Sequence, residues 1–442
     1  MKHMMLWLLA LMLLCACQPT PTTEYVVNKA DRRAEQAIAA SPDAAGSGRA
    51  DFPDRWEETF DAHGASVTVS AAIEQKADGI YPVYRTARAW FTAEDAERIF
   101  SALLPSPVSY GTADATKAEV TEEFRQFLAT VDAQRAGESP DDTVWSEEEI
   151  AWMTEAYIDE IAAAPDERTE TPASDYSALQ AGQPLRYTLS TGETAAMQWG
   201  ASILYFSRGG DGVYTEPEYR SDARLGEPIA SIWQDVALSR ADAEAILWDA
   251  LKAAQLTDFA IAEAYPANLT NFGRMTQAVA TGWQFALHRD FGGYPAMQYT
   301  TPTDRFAYGE SDPYNRPIGE ESILVFVSEK GVQSLGYYNP KTVVGLESAD
   351  VGLLPFDEVR RLVRNAFSAG MPGTGAEVYR IVLTTMTLRV RDSEEYRETP
   401  CWFLLFDTKH LSDELRQSPV LHHDALVLNA IDGSIVHPQY GY

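Results

Sequence analysis

The sequence predicts an α+β fold in which antiparallel sheets are each packed by an amphipathic helix, with a helical insertion in the N-terminal half. Three observations carry that expectation. Helical periodicity occurs in single segments, strand-like alternation comes in runs between them, and two runs are joined by short turn sequences, Glu329-Lys330-Gly331 and Asp432-Gly433. A regular alternation of strands and helices would instead predict a parallel sheet.

Three segments share the helical pattern. Thr92-Ala-Glu-Asp95 opens the first, with Ala96, Ile99, Phe100, Leu103 and Leu104 on one face. Ser239-Arg-Ala-Asp242 opens the second, ahead of Ala243, Ile246, Leu247, Ala250 and Leu251. Pro355-Phe-Asp-Glu358 opens the third, ahead of Val359, Leu362, Val363, Ala366 and Phe367. Thr92 and Ser239 are suited to cap the first turn, with an acid three residues on, and Pro355 suits a first helical position. Whether the three helix–sheet units are true repeats is left open by their unequal spacing.

Strands are expected at Ser66–Ile73, Ile203–Phe206, Trp283–His288, Ile323–Val327, Val332–Tyr337, Val378–Val390, Trp402–Phe406 and within Ala425–Val436. Val120–Val131 and Ser146–Ala163 read as the helical insertion, joined by acidic Gly137–Asp142. Pro165–Gln183 reads as a linker. These signals divide the chain into an N-terminal α+β module over 51–182, a central one over 183–345 and a C-terminal one over 346–442.

The N-terminus reads as an address. Lys2 precedes an apolar run from Met4 to Leu14, too short for a spanning helix, which needs about 20 residues, but long enough for a signal-peptide core. Leu14-Cys15-Ala16-Cys17 fits a lipobox, so 1–16 are expected to be removed and Cys17 to carry lipid. The expected location is the extracellular face of the cell membrane. Residues 17–50, rich in Pro, Ala, Ser and Gly, read as a flexible tether.

Net charge is −30, and loss of Lys2 makes the mature chain −31. That excludes nucleic acid and direct binding to anionic headgroups, which need basic patches. Beyond Cys17 the mature chain keeps one cysteine, Cys401, so no intramolecular disulfide and no cysteine-based metal site is expected. Cys401 lies beside Trp402 in an apolar run and reads as a buried thiol.

Sequences that bind metals, phosphates or nucleophiles at fixed spacings are missing, so no cofactor and no metal are expected. The chain lacks HExxH, a Gly-Lys phosphate loop, Ser-x-x-Lys, Cys-x-x-Cys and a full GxGxxG. Ser368 in Ala366-Phe-Ser-Ala-Gly370 ends a helix rather than a strand, which rules out a nucleophile elbow. His422-His423-Asp424 alternates faces if extended, which suits a solvated loop better than a metal site. Glu147-Glu148-Glu149 reads as an acidic helix start.

The segment most suited to binding is Asp290–Glu321. Long loops inside compact domains are often functional. Arg289, Phe291, Tyr294, Tyr299, Arg305, Tyr308 and Tyr314 are its candidate contact residues, suited to a peptide, a partner protein or a wall glycan. The leading expectation is a non-enzymatic surface lipoprotein that uses this segment. The alternatives are a wall-associated hydrolase using carboxylates and a substrate-binding lipoprotein of a transporter.

Two resemblances add to this reading. Cys17-Gln-Pro-Thr-Pro, followed by Val26-Val27-Asn28-Lys29, resembles the start of a clostridial-type (Firmicutes) lipoprotein family of unknown function. Trp283-Gln-Phe-Ala-Leu-His-Arg-Asp-Phe-Gly-Gly-Tyr-Pro, then Ile323–Val332, resembles propeptide-type PepSY modules. Pro400-Cys-Trp402 with Asn429-Ala-Ile-Asp-Gly-Ser-Ile435 is similar to the end of such modules. The resemblance implies PepSY-like or cystatin-like modules that bind or restrain a partner at the cell surface, with no catalytic residues.

Overall fold

The computed structural model describes residues 33–40, 52–62, 64–76, 78–112, 115–136, 145–167, 169–208, 234–270, 278–291, 321–370, 375–390, 393–408 and 424–436. They form a mixed α+β structure of two sheets, mostly antiparallel, with few helices.

An eight-stranded sheet joins the two ends of the chain. It contains β1 (Arg55–Ala62), β2 (Ala65–Glu74), β3 (Val83–Arg88), β13 (Lys341–Ser348), β14 (Ala376–Arg389), β15 (Glu395–Asp407), β16 (Asp424–Asn429) and β17 (Ile435–Val436). The path runs β1-β2-β14-β15-β16-β17, and β3 joins β13 to the Glu395–Glu398 end of β15. β14 and β2 run parallel; the other pairings in this sheet are antiparallel.

The middle of the chain builds the second sheet. Its nine strands are β4 (Pro107–Thr112), β5 (Thr171–Pro172), β6 (Leu185–Leu189), β7 (Thr194–Trp199), β8 (Ile203–Arg208), β9 (Phe259–Thr270), β10 (Ala278–Arg289), β11 (Ser322–Ser328) and β12 (Gly331–Tyr338). The order is β5-β4-β6-β7-β8-β12-β11-β10-β9. Strand pairing therefore cuts across the divisions drawn at 182/183 and 345/346. β1–β3 share a sheet with β13–β17, while β4 pairs with β6 of the central segment. Turn signals report where a chain reverses, whereas sheet membership is set by partners hundreds of residues away.

The helices form where caps and periodicity place them. They are α1 (Arg33–Ala40), α2 (Ala93–Leu103), α3 (Lys117–Ala136), α4 (Glu147–Ala163), α5 (Arg240–Ala253) and α6 (Phe356–Gly370). Thr92 caps α2 in a capping box with Asp95, and the Ser239 hydroxyl accepts from the Asp242 N–H at 3.2 Å. One core gathers Ile99 and Phe100 of α2, Leu247 and Leu251 of α5, and Tyr187, Phe285, Val325 and Leu335 of the nine-stranded sheet. The other gathers Val359, Val363 and Phe367 of α6 with Val67, Val378, Trp402 and Leu404 of the eight-stranded sheet.

The segment expected to be a structureless tether contains α1, and Ile38 of that helix is buried in the second core with Ala34 and Ala37 packed against it. The sequence Arg-Ala-Glu-Gln-Ala-Ile-Ala-Ala favours helix, and its i, i+3, i+4 spacing makes a short apolar stripe that one isoleucine anchors. The rest of 17–32 and 41–50, with Cys17, lies outside the described residues.

Candidate functional site

The root of the predicted binding segment is a buried, charged clamp. β10 and β11 pair antiparallel with His288 opposite Ser322, which sets Arg289 and Glu321 face to face where the two strands part. Arg289 grips Glu321 through two bonds, Nε to Oε2 at 2.5 Å and Nη2 to Oε1 at 2.8 Å. The Tyr337 hydroxyl and the Lys341 N–H also donate to Glu321 Oε1, at 2.7 and 2.9 Å. The side chains of Arg289 and Glu321 are 14% and 2% exposed. Burial opposes the Arg289 charge, yet Glu321 outweighs it and holds the guanidinium above its ordinary pKa. Burial, reinforced by Glu321, pushes the Tyr337 phenol well above its own.

The clamp continues into the other sheet through Lys341, the first residue of β13. Its backbone serves Glu321, while its Nζ donates to Glu398 Oε1 at 2.9 Å and to Thr387 Oγ1 at 2.5 Å. Thr86 and Thr387 donate to the two oxygens of Glu398 at 2.8 and 2.9 Å. Glu398, Thr86, Thr387 and Lys341 are all buried. One lysine thus ties the end of the nine-stranded sheet to the heart of the eight-stranded one. A buried pair of this kind is tolerated because its remaining lone pairs and protons are satisfied.

Of the candidate contact residues, the structure describes Arg289 and Phe291. Both sit inside the fold. Arg289 is held by Glu321 and lies over the Phe259 ring at 5.1 Å. Phe291 is buried, its ring 5.5 Å from that of Tyr84. They hold the base of the segment. Tyr294, Tyr299, Arg305, Tyr308 and Tyr314 lie outside the described residues, as do His422 and His423.

A second cluster lies on the face of the nine-stranded sheet turned away from its helices. A β-bulge creates it. Leu287 pairs with Ile261 and Ala286 with Glu263, so Ala262 is the extra residue on β9. Ile261 and Ala264 both pack against the helix-side core. The phase of β9 therefore flips at the bulge, and Glu263 and Tyr265 turn to the opposite face beside Ala286 and Gln284. His288, Ser322 and Ser334 share that face and are buried, as is Gln284. Among the described residues, Gln284 Oε1 and Ser322 Oγ have no hydrogen-bond partner. Burial raises the Glu263 carboxyl to about 7, against a lesser opposing pull from Arg380. Arg380 itself is paired with Glu74 at 2.7 and 3.0 Å.

The sequence carries no sign of Glu263, Lys341 or Glu398 as special residues. Glu263 becomes distinctive through the bulge, and Lys341 and Glu398 through each other. Cys401 is a free, buried thiol whose pKa burial pushes up. Among the described residues, no group of three or more His, Cys, Asp or Glu side chains is placed to hold a metal ion, and no helix is long and apolar enough to cross a membrane.

No protein-family model matches the chain, and no curated protein sequence matches it. Among solved structures, it is similar to an uncharacterised protein from Eubacterium rectale at 12% identity and a TM-score of 0.41, over 92% of this chain and 99% of that one. It is also similar to the Bacillus megaterium YpeB C-terminal domain at 12% identity and a TM-score of 0.25, over 57% of this chain and 80% of that domain. At those TM-scores neither likeness defines a function for this chain.

Proposed function

We propose that this protein is a lipoprotein, held through Cys17 on the extracellular face of the cell membrane, that binds a peptide, a partner protein or a wall glycan without catalysing a reaction. The observation that carries the reading is the Arg289–Glu321 clamp. A long insertion between paired strands leaves both of its ends to be fixed. Here a bidentate, buried ion pair fixes them, and Tyr337 and Lys341 lock the acceptor. The segment so rooted is rich in Tyr, Phe and Arg, residue types that supply large contact area at low conformational cost. PepSY-like or cystatin-like modules, with a helix over each sheet, are the finer reading of the fold. The shared cores of α2 and α5 with one sheet, and of α6 with the other, support it.

The test replaces 292–320 with a short Gly-Ser link, keeping Arg289 and Glu321. Surface cross-linking on intact cells is then compared with the parent chain. Loss of specific cross-linked partners is expected. Identical partners with an intact fold overturn the role of the segment. A second reading, a wall-associated hydrolase, draws on the near-neutral Glu263 carboxyl, which has the pKa a general acid needs. Release of soluble wall fragments by the parent chain, abolished in Glu263→Gln, is the result that would favour it.

A further inference from the structure

The helical insertion is a hairpin with a core of its own. Phe127, Val131 and Ile150 are buried in it, and Phe124, Trp145, Met153 and Tyr157 pack against them. Its two helices are joined at their near ends by Gln134, whose amide donates to the Trp145 carbonyl at 2.9 Å and accepts from the Trp145 N–H at 3.1 Å. Arg135 adds an ion pair to Glu147 at 2.7 Å. At the opposite end the Lys117 N–H donates to the Pro165 carbonyl, closing the hairpin where it leaves the sheet. Ile150, Met153 and Tyr157 form the inward stripe of α4. This face meets all the packing needs of the helix.

The outward face is not what such a helix requires. At 100° per residue, Trp152 stands about 160° from the Ile150–Tyr157–Ile161 stripe, and it is 70% exposed. Ile158, six residues on and about 120° round the helix from Trp152, is 54% exposed on its flank. Ala156, at i+4 from Trp152, is exposed too and adds no bulk, so a partner surface has close access to the indole. Glu148, Glu155 and Asp159 flank Trp152 at i−4, i+3 and i+7, all exposed. α4 carries six acids and no Lys or Arg. Glu147 is paired with Arg135, and Glu149 is used in the Ser146 capping box. Among the described residues no ion pair engages Glu148, Glu155 or Asp159.

We propose that the outward face of α4 is a docking surface for a basic protein segment with an apolar anchor. A large exposed aromatic ringed by one sign of charge is the composition of an interface hot spot, with the ring supplying apolar contact and the rim selecting the partner's charge. The charge chooses among occupants. A second copy would set acids against acids, and anionic lipid or nucleic acid would be repelled. A basic, apolar segment is complementary on both counts. The surface is built from α4 residues alone, and its test does not depend on the Asp290–Glu321 segment.

The probe is a helical peptide of alternating leucine and lysine turns, titrated into the full chain by calorimetry. Trp152→Ala is expected to weaken binding at least about tenfold, the loss typical of a hot-spot aromatic. Neutralising the rim with E148Q, E155Q and D159N is expected to weaken it and flatten its salt dependence. Trp90→Ala, a change at another exposed tryptophan, is expected to leave it unchanged. Because Trp152 lies outside the hairpin core, the variant keeps its fold, checked by circular dichroism. Failure of the parent chain to bind, equal affinity in Trp152→Ala, or an equal loss in Trp90→Ala overturns the proposal. So does sedimentation showing a parent dimer that Trp152→Ala dissociates, since the occupant is then a second copy.

Discussion

Replacing Glu263 by Gln should make the protein more stable above neutral pH and leave it unchanged in acid. The carboxyl ordinarily titrates near 4.5, and burial on β9 raises it to about 7. Below 4.5 folded and unfolded chains both hold the proton, and the group contributes nothing. Between these values the folded chain keeps a proton that the unfolded chain has released, so stability falls as pH rises. Above 7 the folded state carries a poorly solvated carboxylate, offset in part by the field of Arg380, which is already committed to Glu74. At about 1.4 kcal/mol per pH unit, the interval from 4.5 to about 7 gives about 3.5 kcal/mol, which residual solvent screening of the partly exposed carboxyl lowers to about 3 kcal/mol. Glutamine keeps the shape and removes the titration. Urea unfolding followed by tryptophan fluorescence, at about pH 4 and about pH 8, measures it for both chains. The expected result is a gain of up to about 3 kcal/mol for the variant at the higher pH and near equality at the lower. A variant with the parent's pH dependence, or one less stable at about pH 8, would refute the argument that Glu263 is charged against its surroundings.

Three further outcomes follow from the same structure. Lys341→Met strands the buried Glu398 carboxylate and is expected to cost about 3–5 kcal/mol, whereas adding Glu398→Leu should recover most of the loss; a double variant no better than the single one would show that the pair is not coupled. Ile38→Ala should destabilise the fold by about 2 kcal/mol or more if α1 is part of the core, and hydrogen exchange over 33–40 should accelerate; no change in either would detach the helix from the fold. Cys17→Ser is expected to abolish incorporation of a labelled fatty acid and to move the protein from the membrane fraction to the medium; retention in the membrane with label elsewhere would displace Cys17 as the anchor.

Much of the local structure was legible. α2 and α5 begin at the caps expected from Thr92 and Ser239, because a cap depends on residues within four positions. The Asp432-Gly433 turn joins β16 to β17, with Gly433 at φ +76° and Ser434 N–H bound to Asp432 at 2.9 Å. The space above Gly433 is also taken: a Cβ there would meet Leu362 of α6. β1 was not legible, since Glu58 interrupts the apolar series of Trp56, Phe60 and Ala62 in Arg-Trp-Glu-Glu-Thr-Phe-Asp-Ala, although burial alternates along the strand. β9 carries Pro266 and a bulge, and both break the period by which strands are read. The role given to Arg289 illustrates the limit for sites. The sequence around this arginine gives no sign of its partner, Glu321, 32 positions away across a strand pair.

The amino-acid sequence by itself determined helices α2 to α6, the hairpin turns, the acidic composition and the expectation of a lipid anchor, because each rests on residues close together in the chain or on composition alone. The tertiary structure decided which strands share a sheet, that β14 runs parallel to β2, that Glu263 leaves the apolar face and that Lys341 meets Glu398. Those outcomes depend on pairing between residues far apart in the chain, where a one-residue bulge is enough to turn a side chain from one face of a sheet to the other.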